Sequence, residues 1–142
     1  MTEKIRPFLW YDDKAHEAAK FYCSIFENAK ILNESEMGCT FELEGRQFVA
    51  FNGGPEFKFT EAISMFVNCE TQREVDEYWE RLSAGGRKSR CGWLQDKYGL
   101  WWQVVPSVLF ELLGSDDEEK AERVQKAMLA MDKLDIEGLK RA

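Results

Sequence analysis

A chain of 142 residues, 44% hydrophobic and 13% aromatic, carries enough apolar side chain for one packed domain and too much for disorder. Its net charge of −7, with no Lys/Arg stripe to offset it, excludes nucleic acid as a partner, since a polyanion would be repelled. No run approaches the roughly 18 apolar residues of a bilayer span, and Met1–Pro7 lacks the apolar core of a secretory signal, so no membrane partner and a cytoplasmic location are expected.

The first element is a strand, Ile5-Arg6-Pro7-Phe8-Leu9-Trp10-Tyr11, rich in aromatic and branched residues. Asp12 and Asp13 are placed to open a helix, where acids favour the positive N-terminal end. Ala18, Phe21, Tyr22 and Ile25 then recur at helical spacing as one apolar stripe. Gly38, Gly45 and the turn Asn52-Gly53-Gly54-Pro55 divide the next stretch into short strands near 29–33, 39–44 and 46–51.

A second strand is expected at Ala62-Ile63-Ser64-Met65-Phe66-Val67-Asn68. Thr71 and Glu74 form a capping box for a helix whose stripe is Val75, Tyr78, Trp79 and Leu82, stopped by Gly85-Gly86. Strands near 87–94 and 100–105 follow, joined by the turn signal Asp96-Lys97-Tyr98-Gly99. The two helix stripes superpose at a constant offset, and Gly45 followed by Phe48 matches Gly99 followed by Trp102. The same order of helix and last strand in both halves points to an internal repeat. The expected fold is therefore α+β: two tandem β-α-β-β-β modules, about 4–55 and 58–106, forming a curved mixed sheet within a single domain.

After Pro106, Ser107–Leu113 reads as a short apolar helix ended by Gly114, and Ser115-Asp116-Asp117-Glu118 as the capping box of a last long helix. Ala121, Val124, Met128 and Met131 give that helix its stripe, and Ile136 and Leu139 are expected to dock a final turn, completing a helical segment over 107–142.

The residues with chemical potential are few. The sole histidine, His16, lies roughly 160° from the centre of its helix stripe and is expected to face solvent, which removes a His-based triad and a His-ligated metal. Cys23, Cys39, Cys69 and Cys91 show no C-x-x-C spacing, so zinc and thioredoxin-type sites are not indicated, and buried thiols are expected. Cys91, beside Gly92 and Trp93, is the one to test for reactivity. No Walker loop, no G-x-G-x-x-G turn and no serine nucleophile elbow is present.

The segment Asp96-Lys97-Tyr98-Gly99-Leu100-Trp101-Trp102-Gln103-Val104-Val105 resembles the final hairpin of the vicinal oxygen chelate superfamily, which holds glyoxalase, bleomycin resistance and extradiol dioxygenase proteins. There the fourth residue after the glycine is often a metal-binding Glu; here it is Gln103. The chain resembles the PhnB-like branch, also labelled 3-demethylubiquinone-9 3-methyltransferase-like. That likeness rests on Pro7-Phe8-Leu9-Trp10-Tyr11, Phe48–Phe57, Ala62–Gln72, Cys91–Gly99 and Leu134-Asp135-Ile136. One departure is the short Glu34-Ser35-Glu36-Met37-Gly38, where relatives carry a longer Gly/Pro-rich loop.

The resemblance places the metal-ligand positions near Arg6, Val49, Ala62 and Gln103. An arginine, two aliphatics and an amide do not hold a divalent metal, so no metal and no cofactor are expected. Alternation from Gln103 puts Trp101 and Val105 on its face, and the same register points Trp10, Ser64 and Phe66 inward. These side chains either line a pocket for a small, partly apolar or aromatic molecule or fill a core. A glyoxalase-type metal lyase or dioxygenase and a structural dimerisation module are the alternatives. The resemblance also implies a homodimer, since the superfamily commonly pairs its half-open sheets.

Overall fold

The computed structural model describes residues Thr2–Ala142. Its elements run β1 (Phe8–Tyr11), α1 (Ala15–Ile25), β2 (Ala29–Ser35), β3 (Gly38–Leu43), β4 (Arg46–Asn52), β5 (Met65–Cys69), α2 (Gln72–Ser83), β6 (Arg87–Lys88), β7 (Trp93–Gln95), β8 (Trp101–Pro106), α3 (Val108–Leu113), α4 (Glu118–Leu129) and α5 (Ile136–Arg141). They fall into two compact units, the first ending at Phe59 and the second spanning Thr60–Ala142. Each unit holds one β-α-β-β-β module, and α3 to α5 belong to the second.

Both modules have one topology. The first sheet is ordered β1-β4-β3-β2 and the second β5-β8-β7-β6. In each, the first strand pairs parallel with the last, and the remaining pairs are antiparallel. The duplication expected from the helix stripes is thus present in the strand order as well. Each module makes its own four-stranded sheet.

The stripes become the buried faces of the helices. Ala18, Tyr22 and Ile25 of α1 and Val75, Trp79 and Leu82 of α2 are buried, while Phe21 and Tyr78 sit half-buried at matching positions. In the first unit α1 covers the sheet face carrying Tyr11, Cys39 and Phe41. The Tyr11 and Tyr22 hydroxyls lie 3.0 Å apart, and the Tyr22 and Phe41 rings are 6.0 Å apart. In the second, α2 covers the face of Leu94, Trp102 and Val104, and Lys88 in the same row reaches Glu80 of α2 at 2.8 Å.

Several local expectations are corrected. Asp12 and Asp13 do not cap α1. The helix starts at Ala15, whose N–H donates to Asn52 Oδ1 at 2.9 Å, so the cap comes from the end of β4. β5 begins at Met65 rather than Ala62, because Thr60–Ile63 form a turn in which the Ala62 N–H donates to Thr60 Oγ1. The stretch 87–94 splits into β6 and β7, because Cys91 (φ 58°) and Gly92 (φ 85°) take left-handed conformations between them. The cap of α4 is Asp117, accepting from the Lys120 N–H, and Ser115 instead accepts from the Asp117 N–H. Thr71 caps α2 as expected, accepting from the Glu74 N–H at 3.2 Å. The Asp96–Gly99 turn forms too, with Gly99 at φ 93°.

The C-terminal segment is tied into the second unit. Leu134 and Leu139 are fully buried with Val105, Leu109 and Val124. The N–H groups of Cys91 and Gly92 donate to the carbonyls of Met131 and Asp132, each at 2.8 Å. Gln72 binds the tail twice, donating to Leu134 O and accepting from the Ile136 N–H.

Candidate functional site

The face of the second sheet opposite α2 is set by pairing register. Phe66 pairs with Gln103, Gln103 with Trp93, Trp101 with Gln95, and Gln95 with Arg87. Directly paired residues share a face, so these side chains form two adjacent rows on one surface. Gln103 Nε2 donates to Ser64 Oγ at 3.0 Å, which leaves the amide oxygen of Gln103 and the hydroxyl proton of Ser64 to bind something else.

Aromatic rings surround that polar pair. Trp93 and Trp101 meet edge to face with centroids 6.4 Å apart, and Phe66 packs on Phe110 of α3 at 5.8 Å. Phe66 is 43% exposed and Gln103, Ser64 and Trp93 are half-buried, whereas Trp101 is only 4% exposed. One face of Trp101 lies under the guanidinium of Arg87, 5.2 Å from the ring centroid, while Arg87 Nε donates to Gln95 Oε1 at 3.2 Å. The structure therefore gathers Ser64, Phe66, Trp101 and Gln103 on one surface and adds Trp93 and Arg87 to it.

Trp10 lies in the first unit. Its row pairs with Phe51, and Phe8 pairs with Val49, on the face away from α1. The Trp10 indole rests on Gly53, where an added Cβ would lie 2.1 Å from the ring, and its Nε1–H donates to Gly54 O at 3.0 Å. Phe51 and Phe57 pack edge-on against it at 5.2 and 4.9 Å. Much of the Trp10 surface is thus covered by its own module. A groove of about 210 Å³ runs beside it along Asn33, Thr40, Val49 and Phe51, below the roughly 300 Å³ of a ligand-sized pocket.

His16 is not left to solvent. It is half-buried, and its Nε2–H donates to the Ser35 carbonyl at 2.7 Å, which pins α1 to the end of β2. Burial pushes the Cys39 thiol up to about 11 and the Cys69 thiol up to about 12, with Glu34 adding to the first and Glu74 and Glu70 to the second. Cys23 is raised by burial alone. These three are thiols, not thiolates, near neutral pH. Cys91 is half-buried in the turn clasped by the tail.

A family model described as 3-demethylubiquinone-9 3-methyltransferase matches residues 3–105. The chain belongs to that family. A PhnB protein from Bacillus cereus is 32% identical, with a TM-score of 0.67, over 74% of this chain and 100% of that one. A Pseudomonas aeruginosa protein, 14% identical with a TM-score of 0.61, shares the fold over 74% of this chain and 98% of its own. The fosfomycin resistance protein FosX from Listeria monocytogenes, complexed with Mn(II) and sulfate, does so at 20% identity and a TM-score of 0.53, over 72% and 89%. The chain, like the PhnB protein and FosX, lies in the vicinal oxygen chelate superfamily. No protein of curated function matches.

Two groups bear on a member of the 3-demethylubiquinone-9 3-methyltransferase family, a divalent metal and an adenosyl methyl donor. The internal register makes Arg6, Val49, Ser64 and Gln103 the equivalent positions of the two modules, since Phe8–Val49 matches Phe66–Gln103. The fifth-strand position is thus Ser64, two residues beyond Ala62, because β5 starts late. A guanidinium, an aliphatic side chain, a hydroxyl and an amide do not fit a Lewis-acid metal. Among the described residues no three His, Cys, Asp or Glu come together elsewhere either. Nor do the residues fit an adenosyl methyl donor held in the doubly wound manner, because neither mixed sheet carries a glycine-rich strand-to-helix turn.

Alternation along β8 from Gln103 puts Trp101 on its face, and the β5–β8 pairing sets Phe66 beside Gln103. Arg87 carries no such signal. A strand of two residues has no period to read, and only its pairing with Gln95 places it.

Proposed function

We propose that the open face of the second module's sheet binds a small, partly aromatic molecule. The observation that supports this is the Gln103–Ser64 pair, held among aromatic rings with an acceptor and a donor to spare. Apolar walls with a few convergent polar groups are the usual make-up of a small-molecule site. Ser64, Gln103, Trp93 and Trp101 supply hydrogen bonds and aromatic surface but no general acid or base, so the face is suited to recognition rather than acid–base chemistry.

Titration of the protein with a metabolite library, followed by tryptophan fluorescence, tests the reading. At least one aromatic compound is expected to quench or shift the Trp93 and Trp101 emission. Gln103→Ala should weaken it roughly tenfold, the cost of one net hydrogen bond. A library that leaves the emission unchanged, or ligands indifferent to Gln103→Ala, would overturn it.

A second proposal concerns assembly. The first unit exposes Ile5, Phe8 (58%) and Phe57 (62%), large apolar side chains that a second copy of the chain would cover in a homodimer.

A further inference from the structure

Arg87 stands out among the polar residues of the second module. In the two-residue strand β6 the side chains alternate. Lys88 turns to the helix face and pairs with Glu80 at 2.8 Å, while Arg87 turns to the open face. There it makes no ion pair with a carboxylate among the described residues, although the chain carries a net charge of −7. It is nevertheless held. Its Nε–H is taken by Gln95 Oε1 at 3.2 Å, and Gln95 is itself anchored by donating to Gly99 O at 3.0 Å. Its guanidinium lies over Trp101 at 5.2 Å, a cation–π contact with a buried ring.

Two of its three nitrogen atoms, the Nη pair, remain uncommitted. They form one side of the fork that accepts a planar oxyanion through parallel N–H···O bonds. A guanidinium already fixed by a ring and an amide loses little side-chain freedom when it takes a ligand, which lowers the cost of binding. One row along the sheet lie Gln103 and Trp93, two residues from Trp101 and Gln95, or about 7 Å at strand spacing. That is the reach of a single aromatic ring with one substituent.

Resting on the reading that this face binds an aromatic molecule, we propose that the ligand is an aromatic carboxylic acid. Its carboxylate pairs with the Arg87 fork, and its ring lies toward Trp93, Phe66 and the Gln103–Ser64 pair.

Isosteric pairs separate charge from shape. Benzoate against benzamide, and indole-3-acetate against indole-3-acetamide, are titrated into nitrogen-15-labelled protein while the Gln103 side-chain amide and the Trp93 and Trp101 indole signals are followed. The acids are expected to bind about tenfold tighter than their amides. Arg87→Gln should abolish the difference between acid and amide, and Arg87→Lys should retain only part of it. Arg87 is exposed on an edge strand, so both variants should keep the wild-type spectrum outside the site. Acids and amides of equal affinity, with the Gln103 signals still moving, would overturn the carboxylate assignment and leave the aromatic site standing. No shift with any of these compounds would overturn both.

Discussion

Asp96 is 2% exposed, and its carboxylate accepts hydrogen bonds from Tyr98, Leu100 and Trp102 within one hairpin. Oδ1 takes the N–H groups of Tyr98 and Leu100 at 2.8 and 3.1 Å, and Oδ2 takes the Trp102 indole N–H at 2.8 Å. The hairpin that carries Trp101 and Gln103 therefore takes its shape from a single acid. Asp96→Ala removes the acceptor of these N–H groups in a buried site, each loss costing about 1–3 kcal/mol. Urea unfolding should show a total loss of about 3 kcal/mol or more, and an unchanged midpoint would contradict this role. Asp96 was legible as a turn residue from the D-x-x-G pattern, but not as a buried one, since nothing local announces that Trp102 bends its indole back to meet it. The cap of α1 shows the same limit. Asn52 lies 37 residues from Ala15, so the local acids Asp12 and Asp13 were a plausible and mistaken reading.

At the scale of elements, periodicity was a good guide wherever an element is long enough to repeat. The stripes of α1 and α2, and the alternation along β8, all place side chains as the sequence implied. Where the backbone departs from repetition the guide fails, as at Cys91 and Gly92, whose left-handed turn cuts one expected strand into two short ones. An added Cβ at Gly92 would meet Val104 O at 2.7 Å and Leu134 Cδ1 at 3.2 Å, so the tail is fitted to that turn. The family match ends at residue 105, and α3 to α5 lie beyond it. They still bear on the candidate site, because Phe110 packs on Phe66 and the Leu134 cluster buries Val105, two residues from Gln103. Leu134→Ala should cost about 2–5 kcal/mol as a core truncation and should speed hydrogen exchange at the Cys91 and Gly92 amides, which the tail binds. Exchange that stays slow would show that the turn holds without the tail. The Asp76–Lys133 pair, 2.9 Å apart, adds a small acid-sensitive share. The Gln72 amide and Lys133 hold the Asp76 carboxyl below its ordinary range. That contribution is complete above about pH 4 and is lost as pH falls through the lowered value, and its size is limited by solvent exposure.

For the whole molecule, the duplicated topology means that each module presents one sheet face to its helix and one away from it. In the first unit the outward face is a run of rings, Phe8 to Phe51 at 5.3 Å, Phe51 to Trp10, and Trp10 to Phe57, with Phe8 and Phe57 more than half exposed. Rings left in water at that level cost free energy that burial would recover, at about 25 cal/mol per Å² of apolar surface. β1, which carries Phe8, is also an edge strand of its sheet. An exposed apolar patch of this kind suits the interface of a two-fold homodimer, and we propose that pairing here. Sedimentation velocity at micromolar concentration should give a species of about twice 16.6 kDa. Phe8→Glu and Phe57→Glu place a charge where the partner would bury it, and each should shift the protein towards monomer. Because both side chains are exposed within the chain, neither change should alter the circular dichroism spectrum, so a loss of dimer can be told from a loss of fold. A wild-type protein that sediments as a monomer throughout this range would refute the pairing, and a dimer insensitive to both substitutions would move the interface away from this face.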